Sequence, residues 1–395
     1  MKMQITINPR LRFRLNPLVL VLIVLAGTAF IIALVRYANG IGAISNLSNA
    51  YPWGFWVSFD LYTGIAISSG AFILTSIVYV FELEQFRPLV RPALLTGLLG
   101  YILEVIALLV DLGHPERIWH YFVYQNFKSW LLVIGLYVMI YATIMLVEFA
   151  PAVFEHFKLQ KLASLIQRFM KPLVILGAVI STLHQGSLGA VLLIQPAKLY
   201  PLWWTSLLPV LFFLSAISIG LAMTIFESSL SSRYFHRGLE IHLLEKLAVA
   251  IPVALAVYVV VKFTQLVIEG DLKYLFTSGL MSLLFWAEII IGIVIPIILF
   301  SIKKVRQSSK GLLVGAVILL LGMILDRFNV SWFAIQHPDP ITYVPTFMSQ
   351  VHYVPSLPEM LISAGIFSAG ILAFGLAVKY LPVFEDEEHT GSSES

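Results

Sequence analysis

Glu104 and Asp111 stand seven residues apart in Glu104-Val-Ile-Ala-Leu-Leu-Val-Asp111. On a helix that spacing puts both carboxyl groups on one face, two turns apart, an arrangement able to pass a proton along. His184 lies in Ser181-Thr-Leu-His-Gln-Gly-Ser-Leu-Gly189, a polar patch of small residues inside an apolar run. Small residues also permit close helix packing, which is the competing reading of that patch. Asp60, Glu288 (after Phe285-Trp-Ala287) and the pair Asp326-Arg327 complete the set of charges embedded in apolar sequence. A charge at the centre of a bilayer costs about 2.5–3.5 kcal/mol on insertion scales, so such residues face a cavity or a partner. Asp326-Arg327 reads equally as a local ion pair closing a helix. Glu148 and Glu227, at the ends of apolar runs, read as solvated boundary residues.

The elements that position these groups follow from composition. With 59% hydrophobic and 12% charged residues and a mean hydropathy of +0.90, the 395-residue chain belongs to the polytopic membrane class. Long uninterrupted apolar runs satisfy their backbone in lipid as helices, whereas barrel strands would alternate over about ten residues. The expected fold is all-α, with about ten spans at 17–37, 54–81, 92–112, 130–149, 172–194, 205–227, 247–268, 275–302, 311–328 and 359–381, and no separate soluble domain. Arg10, Arg12 and Arg14 precede the first run, yet no small-residue cleavage pattern closes it at Val35-Arg36-Tyr37, so a retained helix is expected.

Basic residues assign orientation. Lys2, Arg10, Arg12 and Arg14 begin the chain, and alternate loops carry Arg87 and Arg91; Lys158, Lys161, Arg168 and Lys171; Arg233, Arg237 and Lys246; and Lys303, Lys304, Arg306 and Lys310. The intervening loops hold few, namely Arg117, Lys128, Lys198 and Lys273, so both termini are expected on the cytoplasmic side of a bacterial inner membrane. Residues 383–395, with Glu385-Asp-Glu-Glu388, read as a disordered acidic tail. Two outer loops, 113–129 and 329–358, are rich in aromatics, Pro and Asn and suit a lid or docking surface, although single aromatics there read as an interfacial belt.

Trp53-Gly-Phe-Trp56 opens the second span, which ends at Phe81-Glu82; Trp203-Trp204 opens the sixth, which ends at Phe226-Glu227. Four helices separate the two, so the copies share one orientation. This implies two parallel four-helix bundles (about 54–194 and 205–328) with the first and last helices peripheral. The inverted halves with matched helix breaks that a secondary transporter would show are not visible.

The chain has no cysteine, which removes disulfides, thiolate metal sites and iron–sulfur ligation. Of nine histidines only His184 falls clearly within a span, so a bis-histidine haem is not expected. His114 and His120, six apart in an outer loop, are a weak metal signal, and no metal site is assigned.

Read together, Tyr51-Pro-Trp-Gly-Phe-Trp-Val-Ser-Phe-Asp60, Arg87-Pro-Leu-Val-Arg-Pro-Ala93, Asp111-Leu-Gly-His-Pro-Glu-Arg117, Glu148-Phe-Ala-Pro151, Leu183-His-Gln-Gly-Ser-Leu-Gly189 and Tyr353-Val-Pro-Ser-Leu-Pro-Glu359 resemble the NrfD/polysulfide reductase membrane-subunit family. The nearest likeness is to its ten-helix HybB branch, the "cytochrome b" subunits of periplasm-facing nickel–iron hydrogenases. The resemblance runs in order over nearly the whole chain. It implies a subunit without haem that anchors a periplasmic iron–sulfur subunit carrying four cubane clusters and exchanges electrons with quinone, menaquinone or ubiquinone, in the outer half of the membrane. Hydrogenase large and small subunits are the implied partners, besides lipid and quinone, with no nucleic acid. By position Asp60, Asp111, His114, Arg117 and His184 match family residues associated with the quinone pocket or its proton supply, Asp326, Arg327 and Asn329 resemble the pattern of related quinone-reactive branches, and Trp53 is assigned to quinone binding beside them. One departure stands out. Hydrogenase-type relatives carry a glutamate in the fourth helix where this chain has Val133, and Glu104 on the neighbouring helix is the candidate substitute.

Reduction of quinone to quinol takes two electrons and two protons, so the ring must lie within tunnelling distance of an outside cluster while acids or histidine supply protons. The expected arrangement has Asp111 and His114 hydrogen bonding the quinone oxygens and Arg117 balancing Asp111. Glu104, His184 and Glu288 then relay protons from deeper in the bundle. Alternatives are the same subunit type serving a multihaem cytochrome or a molybdoenzyme, a secondary transporter binding a coupling ion at the buried acids, and a purely structural anchor.

Overall fold

Asn16 accepts the Val19 amide on its side chain at 2.8 Å, and Pro17 follows at the first helical position; these two signals start a helix. The computed structural model describes residues 16–384 apart from 50, 52, 195–198, 237, 278 and 338–352. The first basic residues, the acidic tail from Glu385 onward and residues 338–352 of the loop 329–358 lie outside the described residues. Among the described residues ten helices are long and apolar enough to cross a membrane: α1 (Pro17–Asn39), α2 (Val57–Val80), α3 (Glu84–Asp111), α4 (Trp130–His156), α5 (Met170–Leu192), α6 (Leu208–Phe235), α7 (Ile241–Glu269), α8 (Gly279–Ser301), α9 (Ser309–Gln336) and α10 (Leu357–Tyr380). Apart from an isolated pairing of Ser48 with Tyr51, the described residues contain no β-structure. The side of the bundle on which α1 starts is called the near side below, and the other the far side.

α2 packs on α3, α3 on α4, α4 on α5 and α5 back on α2; α6, α7, α8 and α9 close a second ring in the same way. α2 and α5 lie against α6, which joins the rings, while α1 packs on α10 and α10 on α3, outside the first ring. The seam between rings is tight because glycines let backbones meet. A Cβ on Gly220 of α6 would lie 2.7 Å from the Gly70 amide nitrogen of α2, and within the second ring one on Gly292 of α8 would likewise lie 3.0 Å from the Gly322 carbonyl carbon of α9. Trp53 and Trp203 stand the same number of residues ahead of Gly70 and Gly220, so the two halves present equivalent glycines to one another.

Several spans outrun their expected ends. α4 continues to His156 and α6 to Phe235, so Glu148 and Glu227 are buried inside helices, at 4% and 8% exposure, rather than solvated at boundaries. α9 continues to Gln336, which places Asp326 and Arg327 within the span rather than at its close. Four π-helical turns interrupt the helices, at Val57–Leu61 and Ser76–Val80 in α2, Ile290–Val294 in α8 and Asn329–Phe333 in α9. Each inserts a residue and re-aims the side chains around it, a device found disproportionately at functional sites. Asp60 and Asn329 both sit in such turns.

Candidate functional site

In the far-side half of the first ring, α2, α3 and α10 enclose a cavity of about 60 Å³ lined by Asp60, Gly64, Ser68, Thr96, Glu104 and Phe367, among others. That is room for a few water molecules. The widened turn of α2 delivers Asp60, whose Oδ2 accepts from Ser363 Oγ of α10 at 2.6 Å; its other oxygen has no hydrogen-bond partner among the described residues. Glu104 is buried, and neither of its carboxylate oxygens is partnered there. Such oxygens are open to a proton or to a donor arriving from outside the chain. At one edge of the cavity the half-buried Phe367 ring stands 5.2 Å from Phe59, which contacts Phe55 at 5.4 Å and Phe328 at 5.9 Å, and Trp332 follows at 5.7 Å from Phe328. Aromatic faces from three helices therefore line up beside two buried acids.

Beneath Glu104, one turn back along α3, the Tyr101 hydroxyl lies 2.8 Å from His184 Nδ1 of α5, and its ring meets Tyr141 of α4 edge-on at 5.0 Å. His184 Nε2 is buried with no hydrogen-bond partner among the described residues, and the buried Ser181 Oγ lies beside the hydroxyls of Tyr101 and Tyr141. Two turns further along α4 lies Glu148, set against Gly177, where a Cβ would come 3.2 Å from its Oε1. Polar groups of α2, α3, α4 and α5 thus descend through the first ring from Asp60 to Glu148.

The second ring holds a separate network built around a residue to which the sequence reading gave no role. Lys262 of α7 pairs with Glu288 Oε1 of α8, lies 3.5 Å from Asp326 Oδ1 of α9, and donates to the Tyr258 hydroxyl at 3.3 Å. Arg327 donates to Asp326 Oδ2 at 2.7 Å and to Ser215 Oγ at 2.6 Å, with its guanidinium 4.0 Å from the Phe212 ring centroid. Glu288 Oε2 accepts from Trp203 Nε1 and Asn329 Nδ2, each at 2.8 Å. Two cations and two carboxylates balance, and the pairing Asp326–Arg327 is one edge of this network rather than an isolated local pair. A smaller cavity beside it is lined by Gln265 and Glu269, which bond to each other at 2.6 Å toward the far end of α7. The signal for Lys262 was present: one lysine amid Val259-Val-Val-Lys-Phe is as exceptional as the buried acids.

At the far-side surface the expected grouping is only partly assembled. Asp111 lies within electrostatic range of Asp60, of Glu359 and of Arg36. Arg36 of α1, buried, donates through Nε to the Val110 carbonyl at 2.7 Å and also to that of Leu112, capping α3. Arg117 does not balance Asp111. It lies 3.8 Å from Glu116, which also contacts His114 Nδ1 at 2.9 Å, and all three side chains are exposed. Glu116 is held below the usual carboxylate range by a hydrogen bond to its own backbone and by that to His114. His114 and Arg117 do not line the cavity. Trp53 is half-buried against the core. Close by, Glu359 completes the capping box of α10, accepts the Asn46 amide at 2.9 Å and takes the Tyr353 hydroxyl proton donor, whose acidity burial suppresses. Among the described residues no group of His, Asp and Glu is placed to hold a metal ion.

The family described as polysulphide reductase, NrfD matches residues 43–336. A protein of Nitratidesulfovibrio vulgaris is 36% identical over 364 residues, covering 89% of this chain and 90% of that one. The probable Ni/Fe-hydrogenase 2 b-type cytochrome subunit of Escherichia coli K12 is 32% identical over 354 residues, covering 88% and 87%. The integral membrane subunit of menaquinone reductase of N. vulgaris is 27% identical over 375 residues, covering 89% and 87%.

Proposed function

Because the chain belongs to the NrfD family, we propose that it is the quinone-reactive membrane subunit of a respiratory oxidoreductase complex. It passes electrons between a partner iron–sulfur subunit on the far side and membrane quinone, with the far side periplasmic and both termini cytoplasmic. The observation that carries this reading is the pair of buried, under-partnered carboxyl groups, Asp60 and Glu104, in one cavity beside an aromatic wall. Quinone chemistry asks for that combination: flat apolar surfaces to hold the ring and proton carriers that water from the bulk does not bypass.

The cavity is too small for a substituted quinone ring, so the ring rests against Phe59, Phe328 and Phe367 while Asp60 and Glu104 act from the cavity through a few waters. Asp111, partly exposed above Asp60, connects that pair to the far side. Tyr101, His184, Tyr141 and Glu148 extend the same polar series toward the near side, and Glu104 takes the part that a glutamate at Val133 would otherwise serve. His114 and Arg117, exposed beside Glu116, act at the surface on which the partner docks. The partner is a nickel–iron hydrogenase, the assignment favoured by the likeness to the E. coli cytochrome subunit.

A photoactivatable quinone analogue in membranes, followed by peptide mapping of the adducts, tests the reading. Labelling on α2, α3 and α10, suppressed by excess menaquinone, is the expected result. Labelling confined to α6, α7 and α8 would overturn the site.

A further inference from the structure

Between α4 and α5 the chain leaves the bundle on the near side. Lys158 adopts a left-handed backbone (φ 59°) that ends α4, and a nine-residue helix, Gln160–Arg168, follows. Its two faces differ sharply. Leu159, Leu162, Leu165 and Phe169 share one arc, and each is 45–58% exposed. Lys161, Ser164 and Arg168 share the opposite flank. Only Ala163 is buried. Gln167 fastens the helix by donating to Glu155 Oε1 at 3.1 Å, and Glu155 is itself held by Arg91 of α3 at 2.8 Å. Among the described residues Lys158, Lys161 and Arg168 form no ion pair, whereas the neighbouring Lys171 is taken by Glu82 at 2.6 Å.

We propose that this helix is a binding site for acidic phospholipid headgroups in the near-side leaflet. Two observations commit it to lipid. The apolar arc is exposed, as are the side chains of the flanking spans, Leu146 and Val147 on α4 and Ile175, Leu176 and Val179 on α5, a surface that hydrocarbon would cover. The three free cations edge that arc at the level where headgroups lie, with stems long enough to follow the apolar surface while their charges meet phosphate. The site is independent of quinone chemistry and would anchor the turn joining α4 to α5, the two helices that carry Tyr141, Glu148 and His184.

The chain lacks cysteine, so single labels are available in the full protein. A nitroxide at Leu165→Cys, reconstituted in phosphatidylcholine nanodiscs that contain phosphatidylglycerol to supply negative surface charge, reads depth through its relative access to oxygen and to a water-soluble nickel chelate. A donor dye at Ser164→Cys with acceptor-labelled phosphatidylglycerol or phosphatidylcholine reads local lipid enrichment. The expected results are an oxygen-accessible, chelate-protected label at 165 and excess transfer to phosphatidylglycerol. Lys158→Gln, Lys161→Gln and Arg168→Gln should abolish that excess, each basic residue near a charged surface being worth about fivefold in association. A chelate-accessible label at 165, or transfer that does not distinguish the two lipids in the otherwise unaltered chain, overturns the proposal even if the triple variant fails to fold.

Discussion

Lys262 offers the sharpest quantitative test of the second ring. Its ammonium and the carboxylates of Glu288 and Asp326 are at most 5% exposed, and Arg327 is the only other cation in the network. Lys262→Met keeps the apolar stem and removes one positive charge, leaving two buried carboxylates facing one guanidinium. Breaking a buried pair by deleting one partner costs about 3–5 kcal/mol, a large share of the 5–15 kcal/mol typical of whole folds. Adding Glu288→Gln restores neutrality, because Arg327 still balances Asp326, and the amide oxygen still accepts from Trp203 and Asn329. The remaining deficit is about one net hydrogen bond, roughly 1 kcal/mol. The double variant should therefore be about 2–4 kcal/mol more stable than Lys262→Met alone, a strongly non-additive cycle. Unfolding in mixed micelles followed by tryptophan fluorescence measures it, with Trp203 reporting from within the network. If the two substitutions add, or if Lys262→Met alone is harmless, the reasoning that these charges balance as a set is refuted.

Four further outcomes follow from contacts in the structure. Gly322→Ala would drive a methyl into the backbone of Gly292, and a loss of about 1–3 kcal/mol from overpacking is expected in the same unfolding assay; unchanged stability would mean that α8 and α9 separate readily there. Gly135→Ala would push aside the Tyr121 ring, so proteolysis of the far-side loop 113–129 should speed up while helix propensity gains about 1 kcal/mol; an unaltered cleavage rate would show that Tyr121 does not pin that loop. Tyr101→Phe removes the only hydrogen bond His184 makes through Nδ1 among the described residues and should slow quinone reduction, by less than the about 10²–10⁴-fold expected of a direct proton donor. Ser363→Ala frees Asp60 of its donor and should alter the pH profile of quinone reduction while leaving oxidation of the electron donor by the partner unchanged; an identical profile would detach Asp60 from the chemistry.

The number of spans was legible because an apolar run sustained for twenty residues has few other uses. The buried acids were legible for the same reason, and Glu104 and Asp60 do share a cavity. What stayed hidden depended on contacts between distant helices. Lys262 could be seen as unusual, but its partners lie on α8 and α9, and nothing local announces that α7 faces them. Glu148 and Glu227 looked like boundaries because apolar character fades beside them, yet a helix ends where its backbone is capped, not at its first charge, and both spans run on. The π-helical turns that re-aim Asp60 and Asn329 have no composition of their own. The spacing of Asp111, His114 and Arg117 suggested a cluster, but the chain turns at Gly113, and Glu116 draws the His114 and Arg117 side chains to the surface.

The central claim is that Asp60 and Glu104 serve a quinone held against the aromatic wall. The complex purified with its iron–sulfur partner, reconstituted in liposomes and supplied with its electron donor, allows quinone-analogue reduction to be compared among wild type, Asp60→Asn, Glu104→Gln and the exposed near-side control Glu84→Gln, with a dye reporting membrane potential. The account predicts normal donor oxidation to an artificial acceptor in all four, and quinone reduction reduced at least about 10²-fold in the two cavity variants alone. Wild-type quinone turnover in both Asp60→Asn and Glu104→Gln would contradict it and leave the chain an anchor for chemistry performed elsewhere.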